Sequence, residues 1–85
     1  MEVSTKLLIQ FLVEKGFIRS AGDPFSCTYV RAKMAISLDH ENPVTETAFL
    51  REDLERQRHL ERATIDKFFD ELFDHIRQLE KRGNS

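Results

Sequence analysis

The clearest pattern in the chain is an apolar stripe near its C-terminus. Ile65, Phe68, Phe69, Leu72, Phe73, Ile76 and Leu79 follow one another at steps of three and four, so all of them fall on one face of an α-helix. Thr64 can cap this segment, Asp66 lies in its first turn, and Lys81 and Arg82 oppose the negative end of the helix dipole before Gly83. A helix over residues 64–82 is the expectation. Its phenylalanine-rich face needs a cover, supplied by the core of this chain or by a partner.

A second amphipathic stretch opens the chain. Leu7, Leu8, Phe11 and Leu12 share a face over residues 5–15, with Ser4 as N-cap. Gly16 supplies a left-handed C′ residue, and Phe17 beyond it can pack back on Leu12 in a Schellman ending. Residues 17–38 admit two readings. In one, 17–20 and 27–36 are strands around a turn at Ala21-Gly22-Asp23-Pro24, with Val30, Ala32, Met34, Ile36 and Leu38 alternating on one face and Tyr29, Arg31 and Lys33 on the solvent side. In the other, Asp23 caps a helix with Pro24 at N1. The clean alternation and the poor helix starters Cys27, Thr28, Tyr29 and Val30 favour a short β-hairpin.

After the turn signal Asn42-Pro43, a helix over 46–59 is expected, capped by Thr45 or Thr47 and carrying Ala48, Phe49, Leu50 and Leu54. Its stripe does not continue into the last helix, because Leu60 is about 140° out of phase with Ile65 at about 100° per residue. A break near 60–64 follows. The expected fold is therefore mainly α: three helices (5–15, 46–59, 64–82) with a short β-hairpin at 17–38, in one domain spanning 1–85.

Residues 51–68 resemble a helix-turn-helix in outline. Leu54, Leu60, Ile65 and Phe68 stand where that motif has buried residues, and Arg62-Ala63-Thr64-Ile65 resembles the start of a recognition helix. Glu55 replaces the usual small residue and His59 the usual turn glycine. The resemblance implies a DNA-binding transcriptional regulator, with residues 48–69 as the motif. Asp66, Asp70, Glu71 and Asp74 on the would-be recognition helix oppose contact with a polyanion.

Composition adds bounds. With 40% apolar and 33% charged residues the chain has the profile of a soluble globular domain, and no apolar run reaches the ~20 residues of a membrane span. Glu2 and Glu14 sit where a signal peptide carries basic residues, and Cys27 is the only cysteine, so a cytoplasmic protein without disulfides is expected. Net charge is −2, divided as +2 over residues 1–36 and −4 over 37–85. Neither half is a strong field, which disfavours nucleic acid as a partner.

No catalytic or cofactor motif is present. The chain lacks GxGxxG, GxxxxGK[ST], HExxH, CxxC and GxSxG patterns, and its three histidines are scattered. Glu71 and His75 stand at i, i+4, but a closed zinc site needs about four ligands. Neither an enzyme nor a metal or cofactor is expected. Two surface constellations remain as candidates for partner binding: the acidic ridge Asp66, Asp70 and Asp74, and the cation–aromatic group Tyr29, Arg31 and Lys33. The apolar face of the last helix, roughly 19 residues and about 28 Å long at ~1.5 Å per residue, outreaches the first helix, so a homodimer is the expected assembly. The leading expectation is a non-enzymatic module that binds another protein as adaptor, regulatory subunit or inhibitor.

Overall fold

The computed structural model describes residues 1–22 and 26–83. The chain runs β1 (Glu2–Ser4), α1 (Thr5–Glu14), β2 (Ile18–Gly22), β3 (Ser26–Arg31), β4 (Met34–Asp39), β5 (Val44–Glu46), α2 (Thr47–Arg56) and α3 (Arg62–Gly83). It is a small α+β fold, not the mainly α one expected, because Ile18–Gly22, Ser26–Arg31 and Met34–Asp39 form a three-stranded antiparallel sheet in the order β2-β3-β4 and β1 pairs with β5 in a second, two-stranded sheet. The helical alternative for the middle segment is overturned by the same pairing. Asp23 and Pro24, invoked for the turn or the helix cap, lie outside the described residues.

The expected single strand over 27–36 is two strands joined at Ala32-Lys33. A two-residue turn switches the parity of the inward face. Cys27 and Tyr29 of β3 point to the core, and so do Met34, Ile36 and Leu38 of β4, with Cys27 opposite Leu38, Tyr29 opposite Ile36 and Arg31 opposite Met34. Tyr29 is therefore core, only 4% exposed, rather than a member of a solvent face. Ala32 opens the turn at φ 53°, the positive dihedral that the first central residue of a type II′ hairpin requires. On the outer face Thr28 and Ser37 share a 3.0 Å hydrogen bond across the strands.

Helix α1 matches its expected bounds and caps. Ser4 Oγ accepts from the Leu7 N–H, Gly16 takes φ 87°, and the Phe17 and Gly16 N–H groups bond back to the Leu12 and Val13 carbonyls at 2.9 and 3.1 Å, the two bonds of a Schellman motif. Helix α2 ends three residues earlier than expected. It is capped by the Glu46 side chain, which accepts from the Ala48 N–H, while Thr47 is its first residue. The break before α3 falls at 57–61, and α3 starts at Arg62 and includes Gly83.

Seventeen buried hydrophobic residues form one cluster fed by both sheets and all three helices. At its centre Phe68 of α3 meets Phe11 of α1 and Phe17 edge-on, with ring centroids 5.7 and 6.1 Å apart. Ile65, Phe68, Phe69, Leu72 and Ile76 are buried within this single chain, and Phe73 and Leu79 are half-buried. The stripe that motivated a homodimer thus has its cover inside the fold. The buried polar residues Thr5 and Thr47 are satisfied: Thr5 Oγ1 lies 2.8 Å from Thr45 Oγ1, and Thr47 donates to the Met1 carbonyl from both N–H and Oγ1.

Candidate functional site

Two surfaces stand out, at opposite ends of the β3–β4 hairpin. Five residue steps along β4, from Met34 to Asp39, separate them by about 17 Å at ~3.3 Å per step.

The first is a groove of about 350 Å³ between the end of β4, the β1–β5 pair and the start of α2, lined in part by Glu2, Asp39, Val44, Glu46 and Phe49. Phe49 is 68% exposed and Val44 40% exposed, although Leu50 and Leu54 of the same helix are buried. Helical geometry explains the difference. Leu50 and Leu54 stack at i, i+4 towards the core, whereas Phe49 is rotated by about 100° away from Leu50. The rim is acidic. Glu46 accepts from the Met1 amino group at 2.6 Å and from the Ala48 N–H at 3.4 Å, and these bonds, the amine first, hold its carboxyl below the usual range. Asp39 Oδ1 accepts from the Glu41 N–H at 3.0 Å, which fixes its carboxylate beside the groove.

The second surface is a cleft of about 460 Å³ between the hairpin turn and the α2–α3 connection, lined by Arg31, Lys33, His59, Leu60, Glu61 and Thr64 among others. Side chains clamp its two walls together. Gln57 accepts from the Ala35 N–H at 3.2 Å and donates to the Ala35 carbonyl at 2.7 Å, pairing with β4 as a neighbouring strand would. His59 Nε2 donates to the Lys33 carbonyl at 2.6 Å. Arg31 lays its guanidinium over the Phe17 ring, 4.7 Å from the centroid, and donates to the Lys15 carbonyl at 2.8 Å.

The candidate residues are distributed unevenly over these surfaces. Arg31 and Lys33 line the cleft together, but Tyr29 lies in the core, its hydroxyl 3.3 Å from His40 Nε2 and its ring stacked on the imidazole. Burial pushes the Tyr29 pKa up, with the neighbouring Cys27 adding to the effect. Asp66, Asp70 and Asp74 are all exposed on α3. Asp66 is tied to α2 by an ion pair with Arg51, whose guanidinium also reaches Glu55 and lies over Phe69. That bond to Asp66 raises the Arg51 pKa. Asp74 accepts from Gln78 at 3.0 Å and sits 3.8 Å from Arg77. Asp66 thus ties α3 to α2, whereas the partners of Asp74 lie on α3 itself.

Phe49 is named in the sequence reading only as one of the apolar residues of its helix, and Val44 is not singled out there. The signal was available in the phase of Leu50 and Leu54. Gln57 and His59 carry no local signal at all, since their partners lie 22 and 26 residues away. No group of three or more His, Cys, Asp or Glu side chains placed to hold a metal occurs among the described residues, and none of the described helices is long and apolar enough to cross a membrane. The chain matches no protein-family model, no curated protein and no solved structure.

Proposed function

We propose that the chain is a non-enzymatic protein-binding module, an adaptor or regulatory subunit, whose groove beside α2 receives a basic, apolar-bearing segment of a partner protein. The exposure of Phe49 carries this reading. A phenylalanine left 68% exposed, in a fold that buries Phe11, Phe17, Phe68 and Phe69 in one cluster and packs a half-buried Phe73 against it, is the kind of aromatic anchor that concentrates binding energy in interfaces. Val44 extends the apolar area, and Glu2 and Asp39 select a partner of opposite charge.

A photo-cross-linking phenylalanine analogue at position 49 tests the reading in cells. The expected result is a discrete heteromeric adduct that disappears when Val44→Asp is added and that contains a Lys- or Arg-rich segment. The same adducts from a probe moved to Glu80 would refute it. An adduct of twice the chain's mass would assign the groove to a second copy and likewise overturn it.

A further inference from the structure

We propose that the cationic end of the molecule, formed by the β3–β4 turn and the α2–α3 connection, docks on the phosphodiester backbone of a nucleic acid. Summed along the sequence the charges argue against such a partner, but the fold segregates them. Arg31 and Lys33 from the hairpin meet His59 in one cleft, flanked by Arg58 in the connection and by Arg62, the first residue of α3. Among the described residues Glu61 is the one carboxylate in the cleft lining. Carboxylates collect at the other end of the hairpin, where Glu2, Asp39 and Glu46 line the groove. The two ends of the hairpin thus differ in charge, and a polyanion is favoured at the hairpin tip over the groove.

Arg31, Lys33, Arg58 and Arg62 have no acidic partner within 4.0 Å among the described residues, as is also true of Lys6, Lys15, Arg19, Lys67 and Lys81; of these, Arg31 and Lys33 line one cleft together. Two cations that share one cleft raise each other's need for an anion, and Arg58 and Arg62 are neighbours in sequence of its lining residues His59 and Glu61. The backbone that carries them is also pre-positioned. The double bond of Gln57 to Ala35 and the bond of His59 to Lys33 lock the connection against the hairpin, and Phe17 fixes the Arg31 guanidinium, so little ordering remains for binding. Contacts of this kind, from guanidinium and ammonium groups to phosphate oxygens, position a protein on nucleic acid without reading sequence. The surface shares Arg58, Arg62 and Thr64 with the stretch that resembles a helix-turn-helix, but it takes in the β3–β4 turn and leaves out the acidic flank of α3.

Fluorescence anisotropy of the intact chain with labelled 20-nucleotide random-sequence probes, as single- and double-stranded RNA and DNA, tests this. With about four phosphate contacts, affinity for the favoured probe should fall roughly 50- to 150-fold between ~50 and ~200 mM salt. Reversing three exposed cations together, Lys33→Glu, Arg58→Glu and Arg62→Glu, should lower affinity at least tenfold at ~50 mM salt. The matched reversal Lys6→Glu, Arg77→Glu and Lys81→Glu should leave most of it. Circular dichroism of each variant checks folding, and the salt dependence of the unmodified chain stands whether or not a variant folds. No binding to any of the four probes at low salt overturns the proposal. So does equal loss from the two reversals, or a poly-glutamate peptide of matched charge binding as tightly as the nucleic acids.

Discussion

Among the described residues two take a left-handed backbone, and they are of opposite type. Gly16 adopts φ 87° at the C′ position of α1, where an added Cβ would meet only the Arg31 Cδ at 3.9 Å, so the restriction there is conformational rather than steric. Ala32 adopts φ 53° in the hairpin turn despite its Cβ. A left-handed L-residue costs about 1–2 kcal/mol, and glycine's extra freedom in the unfolded chain returns ~0.4–1 kcal/mol. Ala32→Gly should therefore stabilise, and Gly16→Ala destabilise, each by about 0.5–1 kcal/mol in urea unfolding. Tyr29 supplies a pH prediction. Its folded pKa is raised, chiefly by burial, so its contribution is fully present below the unfolded value of about 10 and is lost as pH rises through the folded value. Tyr29→Phe should remove that alkaline loss while costing about 0.5–1.5 kcal/mol at neutral pH through the lost bond to His40. Thermal melts across pH 7–12 would show both effects.

At the scale of elements, β4 is the edge strand of its sheet, and part of its open edge is closed by a side chain instead of a strand. The Gln57 amide satisfies both backbone groups of Ala35. Gln57→Ala should destabilise by about 1–2 kcal/mol, the sum of two ordinary hydrogen bonds, and should speed hydrogen exchange at Ala35 ahead of the rest of the sheet. Gln57→Glu, which at neutral pH can accept from the Ala35 N–H but cannot donate to its carbonyl, should fall between the two. Helix α1 was legible in full because its signals, the Ser4 cap, the 3–4 spacing and the Gly16 stop, are local. The end of α2 was not. Its stop comes from Gln57 turning towards β4, a partner 22 residues away that no window of sequence contains.

For the whole molecule, burial separates residues that look alike in sequence. Leu72 is fully buried at the junction of the helices, whereas Phe49 is largely solvent-exposed. Leu72→Ala should cost about 2–5 kcal/mol through lost burial and cavity formation, while Phe49→Ser should change stability by less than about 0.5 kcal/mol. Equilibrium denaturation of the pair would test whether the large apolar residues divide into core and docking sets as the fold implies. Cooperative unfolding in a single transition is expected, because one cluster joins both sheets and all helices.

The sequence by itself determined the helices whose periodicity and caps lie within a few residues of one another, above all the stripe from Ile65 to Ile76. It also held the alternation of Met34, Ile36 and Leu38, since a strand's two faces repeat at every second residue. Only the tertiary structure decided what lies between and around these segments. A two-residue turn at Ala32-Lys33 inverted the parity of β3 and took Tyr29 into the core. The packing of α3 on α1 and the sheet covered a face that had suggested a second copy. Folding also brought Arg31 and Lys33 of the hairpin, unremarkable in a chain of net charge −2, into one cleft with His59 of the α2–α3 connection. Charge totals are sums along the chain, whereas an electrostatic surface depends on distances through space, and those exist only once distant residues have been brought together.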